Sequence, residues 1–251
     1  MSRNVVITGA GDGLGRAMRE LFLANGDRVH ICDVKLDAEA NSSSKSLRGT
    51  VCDVGNSVAV ARLFEEVATW MPRVDVLVNN VGISGPRAPL ESTSDDDWLE
   101  ILQVNLLGAV RCMRHVLPAM KASRSGALLS ISTSSVLTRP LNRSPYTVSK
   151  AAIEALTASI AREVGPQGIR CNAVRPGMMD NARMHRVLQR VAADSGKPVK
   201  EVLQGELQFI SMRSMTPMQA VAQMALFLCS DSAAHVTGQV VAVDGGSEWE
   251  S

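Results

Sequence analysis

The sequence predicts an α/β protein in which one parallel sheet carries helices on both faces. Three observations carry that expectation. Seven short runs are rich in β-branched residues and nearly continuous in hydrophobicity, as strands buried on both faces are. Longer segments between them repeat apolar residues at helical spacing. The two kinds of segment alternate along all 251 residues, and no linker, repeat or low-complexity tract divides the chain. One domain over 1–251 follows, of a size that needs no disulfide or metal to fold.

Asn4–Thr8 reads as the first strand and Leu14–Asn25 as the helix after it. Arg28–Cys32 is the second strand, and the polar stretch Asn41–Ser46 is a surface loop ahead of strand Gly49–Cys52. Val60, Leu63, Phe64, Val67 and Met71 form a one-sided helical stripe before strand Asp75–Asn79. A long helix, Asp95–Met120, leads to strand Ala127–Ser132, and helix Tyr146–Val164 leads to strand Ile169–Val174. Met178–Met215 has no strand pattern and interrupts the alternation before helix Pro217–Ser230 and strand Gly238–Val243. Such an insertion, about 178–216, lies where α/β proteins usually carry their ligand-specific parts.

Composition excludes several roles. Lys and Arg number 26 against 25 Asp and Glu, the net charge is +1, and aromatic residues make up 3%. That balance leaves no basic footprint and few stacking platforms for nucleic acid. The chain lacks the run of about 18 apolar residues that would span a bilayer. Val5-Val6-Ile7 is too short for the core of a signal peptide. Cys32, Cys52, Cys112, Cys171 and Cys229 lie far apart with no CxxC pair, which fits buried reduced thiols in a cytoplasmic protein rather than disulfides or a zinc site.

Chemistry enters at Thr8-Gly9-Ala10-Gly11-Asp12-Gly13-Leu14-Gly15, between the first strand and the first helix. Glycine lets the backbone turn tightly and approach a pyrophosphate, and the helix N-terminus offers the anion unpaired N–H groups and a positive dipole end. A strand–helix turn without a ligand is the plainer alternative. Strand, loop and helix in this order favour the cradle, with Gly9, Asp12, Gly13, Leu14 and Gly15 as candidate cofactor contacts. Asp33 ends the second strand about 20 residues further on, where a carboxylate accepts from both adenosine ribose hydroxyls and repels a 2′-phosphate. Asp12 adds to that repulsion and Lys35 opposes it, so NAD is expected over NADP. The alternative for Asp33 is a strand-end turn former.

These glycines, followed by Asn79-Asn80-Val81-Gly82, Tyr146-Thr147-Val148-Ser149-Lys150 and Pro176-Gly177, resemble the short-chain dehydrogenase/reductase family from Asn4 to Gly246. The resemblance implies a seven-stranded, doubly wound Rossmann sheet in a three-layer α/β/α sandwich. It also implies a nicotinamide cofactor, reversible alcohol–carbonyl interconversion, and a homodimer or homotetramer built on the long helices. By the same resemblance Cys52-Asp53-Val54 contacts the adenine, with Asp53 accepting from its amino group. Asn80-Val81-Gly82 lies under the adenosine ribose, and Asp75 stabilises that loop. Pro176-Gly177-Met178-Met179 closes over the nicotinamide, with backbone near Met179 meeting the carboxamide. Val81 stands where the family usually has Ala, and Asn181 where it often has Thr. Asp244-Gly245-Gly246 resembles the family's C-terminal signature.

An alcohol that loses hydride must also lose a proton, and the acceptor must sit beside the alcohol oxygen. A phenol, with an ordinary pKa of about 10, is a poor base at neutral pH, but an ammonium close by favours the phenolate. Tyr146, the one tyrosine in the chain, lies four residues before Lys150, so a helix puts both on one face. Tyr146 is the expected acid/base, and by resemblance Lys150 also holds the nicotinamide ribose. A core tyrosine beside a solvated lysine is the bland alternative. Asn105 is an amide inside a long apolar helix, which calls for a partner or a purpose. Resemblance makes it the anchor of a water in a relay to Lys150; a satisfied core amide is the alternative. The family's hydroxyl, 13 residues before the tyrosine, falls on Thr133 and would stabilise a developing alkoxide. A loop one residue shorter would bring Ser134 into that role.

Seven of the twelve methionines fall between Met178 and Met224. They read either as an apolar lid, with Met178 and Met184 meeting the substrate beside Ser134, or as ordinary helix packing. Arg139, Arg143, Arg183, His185 and Arg186 flank the site. Any of them suits a substrate carboxylate, although solvated surface arginines are commoner. The expected activity is NAD-dependent interconversion of a secondary alcohol and a ketone in the cytoplasm, with no nucleic-acid or membrane partner. The alternatives are an NADP-dependent carbonyl reductase and a weakly active cofactor-binding scaffold or redox sensor.

Overall fold

A computed structural model describes residues 2–41 and 44–247. In chain order its elements are β1 (Asn4–Thr8), α1 (Gly13–Ala24), β2 (Arg28–Asp33), α2 (Ala38–Asn41), β3 (Leu47–Val51), α3 (Ser57–Ala68) and β4 (Val76–Asn79). Then come α4 (Asp95–Leu102), α5 (Gly108–Ser123), β5 (Gly126–Ile131), α6 (Ser135–Thr138), α7 (Ser144–Val164) and β6 (Ile169–Pro176). The last are β7 (Met179–Asp180), α8 (Ala182–Ser195), α9 (Val199–Leu207), β8 (Thr216–Pro217), α10 (Met218–Leu228) and β9 (Val240–Val243). Seven strands form one sheet in the order β3-β2-β1-β4-β5-β6-β9, every neighbouring pair parallel.

The near-continuous apolar strands are explained by two core layers. In β1, Val5 and Ile7 pack with Leu14, Met18 and Phe22 of α1 and with Val221, Ala225 and Leu228 of α10. Val6 faces the opposite layer, with Leu63 and Val67 of α3 and Cys112, Met113 and Val116 of α5. Alternate strand residues serve alternate faces, and both faces are covered by helices. All five cysteines are free and buried. Among the described residues, no helix is long and apolar enough to cross a membrane.

Four expectations need correction. The strand expected at Gly49–Cys52 is Leu47–Val51, because Leu47 is buried opposite Val29 of β2. Asn41–Ser46 is not all loop: Asn41 ends α2, while residues 42–43 lie outside the described residues. Asp95–Met120 is not one helix. A π turn over Gln103–Leu107 separates α4 from α5, with the Gly108 amide donating to the Gln103 carbonyl. Arg111 donates to the Gln103 and Val54 carbonyls at 3.0 and 3.1 Å, which holds that turn against the loop after β3. Met178–Met215 does contain a strand, β7, paired in parallel with β8. This two-residue ribbon closes the base of the α8–α9 excursion, and Ser211 and Met212 donate to the Gly246 and Gly245 carbonyls.

Strand order reverses between β1 and β4. The crevice outside the C-terminal ends of these strands is where doubly wound sheets bind ligands. The ends of β1, β2, β4, β5 and β6 present the glycine loop, Asp33, Asn79–Gly82, Ser132–Ser134 and Gly177 at that one edge.

Candidate active site

The glycine loop is built for close approach. Gly9 takes φ +65° and its amide donates to the Cys32 carbonyl at 2.7 Å. A Cβ on Gly15 would land on the Gly9 carbonyl and 2.7 Å from the Ala10 Cα, both backbone atoms that cannot swing aside. Gly15→Ala is therefore expected to destabilise the fold by about 1–3 kcal/mol, as overpacking does. A lowered Tm together with weakened NADH binding is the result to look for. Asp12 is the N-cap of α1, and its carboxylate accepts from the Gly13 amide at 2.7 Å. The Leu14 and Gly15 amides lie in the first turn, where helix amides have no intrahelical acceptor. Asp33 accepts from the Gly11 amide at 3.0 Å and from the Lys35 amide at 3.3 Å, so this carboxylate also shapes the loop.

Asn80 faces inward: its amide nitrogen donates to the Thr8 and Gly9 carbonyls at 3.1 and 2.7 Å. This side chain braces the cradle, and the backbone of Val81–Gly82 lines the crevice. Asp53 accepts from the Gly55 amide at 2.8 Å at the exposed edge after β3, while Val54 is buried. Asp75 does not stabilise the Asn80–Gly82 loop. It precedes β4 and accepts from the Asn4 amide at 2.8 Å, at the opposite end of the sheet.

Tyr146 and Lys150 lie one turn apart on α7. The Lys150 ammonium is buried and donates to the Ile131 carbonyl at the end of β5, at 2.7 Å. Burial, and then the charge of Arg183, pull the Lys150 pKa down to about 8. A Cβ on Gly82 would sit 2.9 Å from its Nζ, so the ammonium ends at the mouth of the β4 loop. The Arg143 guanidinium carbon lies 4.6 Å from the centre of the Tyr146 ring. Thr133 follows β5, and its hydroxyl donates to the Ser135 hydroxyl at 3.3 Å and accepts from the Ser135 amide at 3.3 Å. Ser134 begins the α6 turn and its amide donates to the Pro176 carbonyl at 2.9 Å.

Asn105 lies in the π turn, buried, with its amide fully engaged. Its oxygen accepts from the Ile83 amide at 2.8 Å, and its nitrogen donates to the Ile83 carbonyl at 3.0 Å and the Ser149 hydroxyl at 2.9 Å. The side chain thus ties the β4 loop to the turn of α7 that carries Lys150. Thr8, Asn79, Asn105 and Lys150 help line a cavity of about 10 Å³ behind the site, room for one water. Asn79 is buried, and neither end of its amide bonds within the chain. Asn181 caps α8, accepting from the Met184 amide at 2.8 Å. Met218 and Met224 of α10 pack on the core, as does Met179 of β7, so part of the methionine cluster is ordinary core packing. Gly177 packs so tightly on Asp244 that a Cβ would be 2.6 Å from the Asp244 Cβ, which fixes the segment carrying Met178 and Met179.

One network escaped the sequence reading. Ser132, just before Thr133, donates to Glu154 at 2.5 Å, and Arg175, just before Pro176-Gly177, grips the same carboxylate at 2.9 and 2.7 Å. Glu154 is four residues beyond Lys150, so one helix face carries Tyr146, Lys150 and the carboxylate that fixes the ends of β5 and β6. A charged residue on an otherwise buried stripe was the available signal.

A dinucleotide fits what is present. At Gly11 and Gly15 the backbone leaves no room for a Cβ, Lys150 commits one of its three protons, and Asp33 stands at the end of β2.

A family model described as enoyl-(acyl carrier protein) reductase matches residues 9–248. A 3beta-hydroxysteroid dehydrogenase of Mediterraneibacter gnavus is 30% identical, covering 96% of this chain and 93% of its own. A cis-4-hydroxycyclohexanecarboxylate dehydrogenase of Sinomonas cyclohexanicum is 32% identical, covering 97% of this chain and 96% of its own. The crystal structure of levodione reductase superimposes with a TM-score of 0.88 at 27% identity, covering 97% and 96% of the two chains. A match of this breadth places the protein in the short-chain dehydrogenase/reductase family of NAD(P)-binding oxidoreductases.

Proposed function

We propose that this chain interconverts a secondary alcohol and a ketone with NAD, and that Tyr146 is the acid/base. The observation that carries the reading is Tyr146 one helical turn from a buried ammonium that ends beside Gly82. Bound NAD supplies the hydride acceptor. Tyr146 takes the alcohol proton, and Lys150, with two uncommitted protons, favours the phenolate and holds the nicotinamide ribose. Thr133 donates its hydroxyl to the substrate oxygen in place of its bond to Ser135. Asn105 holds Ile83 and Ser149 in register, and the small cavity beside it and Lys150 has room for one water of a proton relay.

Gly9, Gly13, Leu14 and Gly15 cradle the pyrophosphate in this reading, and Asp12 acts by capping their helix. Asp53 and Val54 meet the adenine, Val81–Gly82 lie under the ribose, and Pro176-Gly177, Met179 and Asn181 border the nicotinamide. Ser134, Met178 and Met184 line the substrate. The two relatives act, by their names, on a hydroxysteroid and a hydroxycyclohexanecarboxylate, which supports a ring alcohol as substrate. Exposed Leu99 on α4 and Val148 on α7 suit the helix-to-helix contact of a homo-oligomer. Buried thiols suit a reducing compartment such as the cytoplasm.

The test is oxidation of a panel of ring alcohols with NAD and with NADP, read from the absorbance of the reduced nicotinamide. Turnover is expected with NAD, and none with either cofactor would end the proposal. Asp33→Asn keeps an acceptor for the Gly11 amide but removes the charge facing a 2′-phosphate. It should shift the ratio of kcat/KM toward NADP by about 10–100-fold, a few kcal/mol of like-charge repulsion. An unchanged ratio would remove Asp33 from cofactor choice.

A further inference from the structure

The Arg143 guanidinium lies at the Tyr146 end of the crevice, and the charges of two guanidiniums from other segments, Arg183 and Arg87, act on it. Arg143 immediately precedes α7; its guanidinium lies against the Tyr146 ring, and its Nε is buried without a hydrogen-bond partner. Arg183 stands in the first turn of α8, held by the Asn181 cap, and its charge reaches both Lys150 and Arg143. Arg87, on the exposed loop after Gly82, also acts on Arg143.

Among the described residues no carboxylate pairs with any of the three. Other part-buried arginines find partners within the chain: Arg111 and Arg170 donate to backbone carbonyls. Buried Arg19 is matched by Asp37 and Glu39, Arg3 by Asp27 and Arg175 by Glu154. Two nearby carboxylates are committed elsewhere, Asp180 to His185 and Glu154 to Arg175. With a net charge of only +1, the excess is local to this mouth and not a general surplus. Uncompensated cations packed together disfavour one another, and an anion seated among them relieves that cost.

We propose that Arg143, flanked by Arg87 and Arg183, binds a carboxylate carried by the alcohol substrate. This rests on Tyr146 being the acid/base, and it narrows the substrate to a hydroxy acid whose carboxylate lies within a small ring's width of the carbinol. Arg143 supplies the half-buried, planar donor for two-point pairing; the two exposed arginines supply charge at the entrance.

The experiment compares 4-hydroxycyclohexanecarboxylate with neutral 4-methylcyclohexanol. The acid is expected to have the higher kcat/KM by about 10–100-fold, the range for a charge-assisted hydrogen-bond pair. Arg143→Gln should bring that ratio near one, chiefly by raising KM for the acid, while the Kd for NADH is unmoved. If Arg143→Gln fails to fold, the double variant of the exposed residues, Arg87→Gln with Arg183→Gln, should lower the ratio severalfold. A wild-type ratio near one, a ratio untouched by these variants, or a loss of NADH affinity in place of the acid preference would overturn the subsite. Binding gives a readout free of turnover: cyclohexanecarboxylate should raise Tm more than cyclohexanecarboxamide, and Arg143→Gln should erase the difference. Turnover of the neutral alcohol without acid preference sinks the subsite alone. Absence of all turnover alongside carboxylate-specific stabilisation sinks the proposed reaction alone.

Discussion

Tyr146→Phe is expected to lower kcat by about 10²–10⁴-fold, the usual contribution of a positioned acid/base. The substitution removes one oxygen and keeps the ring that lies against Arg143, so the local packing survives. NADH affinity should stay within about twofold, because the residues proposed to hold the cofactor are the glycine loop, Asp33 and Lys150. The split between a collapsed kcat and an intact Kd separates lost proton transfer from lost binding. Near-normal turnover would hand the proton to another group. Thr133 is the next candidate, its hydroxyl now donating to that of Ser135.

The sheet was legible because strands buried on both faces write themselves as continuous apolar runs, and the β1 layers of Val5, Val6 and Ile7 show why. The cradle and the Tyr146–Lys150 pair were legible for a different reason: their chemistry fixes residue types at fixed spacing. The π turn at Asn105 was not. It changes the hydrogen-bond register by one residue while the apolar stripe runs on through Cys112 and Val116, so periodicity reads through it. A two-residue strand such as β7 is below the length at which any pattern forms. Arg143 and Arg183 were legible as candidate carboxylate partners, but their meeting with Arg87, like the Ser132–Glu154–Arg175 network, depends on segments far apart in the chain coming together in space. Asp75 is the instructive miss. A residue that precedes its strand belongs to the N-terminal edge of a parallel sheet, and that polarity was already present in the order of the sequence.

Lys150→Met carries the second large expected effect, and it acts on activity and stability in opposite directions. Activity should fall about 10²-fold or more, since the variant removes the cation that favours the phenolate and the donor proposed for the ribose. Stability follows from linkage. An ordinary lysine titrates near 10.5, and the folded chain holds Lys150 at about 8 through burial and the charge of Arg183. Below pH 8 both folded and unfolded chains carry the proton, and the folded state bears the full cost of a buried ammonium. Between about 8 and 10.5 the unfolded chain binds more protons than the folded one, so stability rises with pH. The integrated difference is about 3 kcal/mol. Losing the Ile131 bond offsets part of this by about 1–3 kcal/mol at every pH, so the pH trend reads the charge more cleanly than the absolute value does. Urea denaturation of cofactor-free protein at pH 7 and pH 10 should show wild type gaining on Lys150→Met by a few kcal/mol at the higher pH. Parallel stability curves would mean that Lys150 is solvated enough to keep its ordinary affinity for a proton. Its influence on Tyr146 would then be that of a screened surface charge, too weak to make a phenol a base at neutral pH.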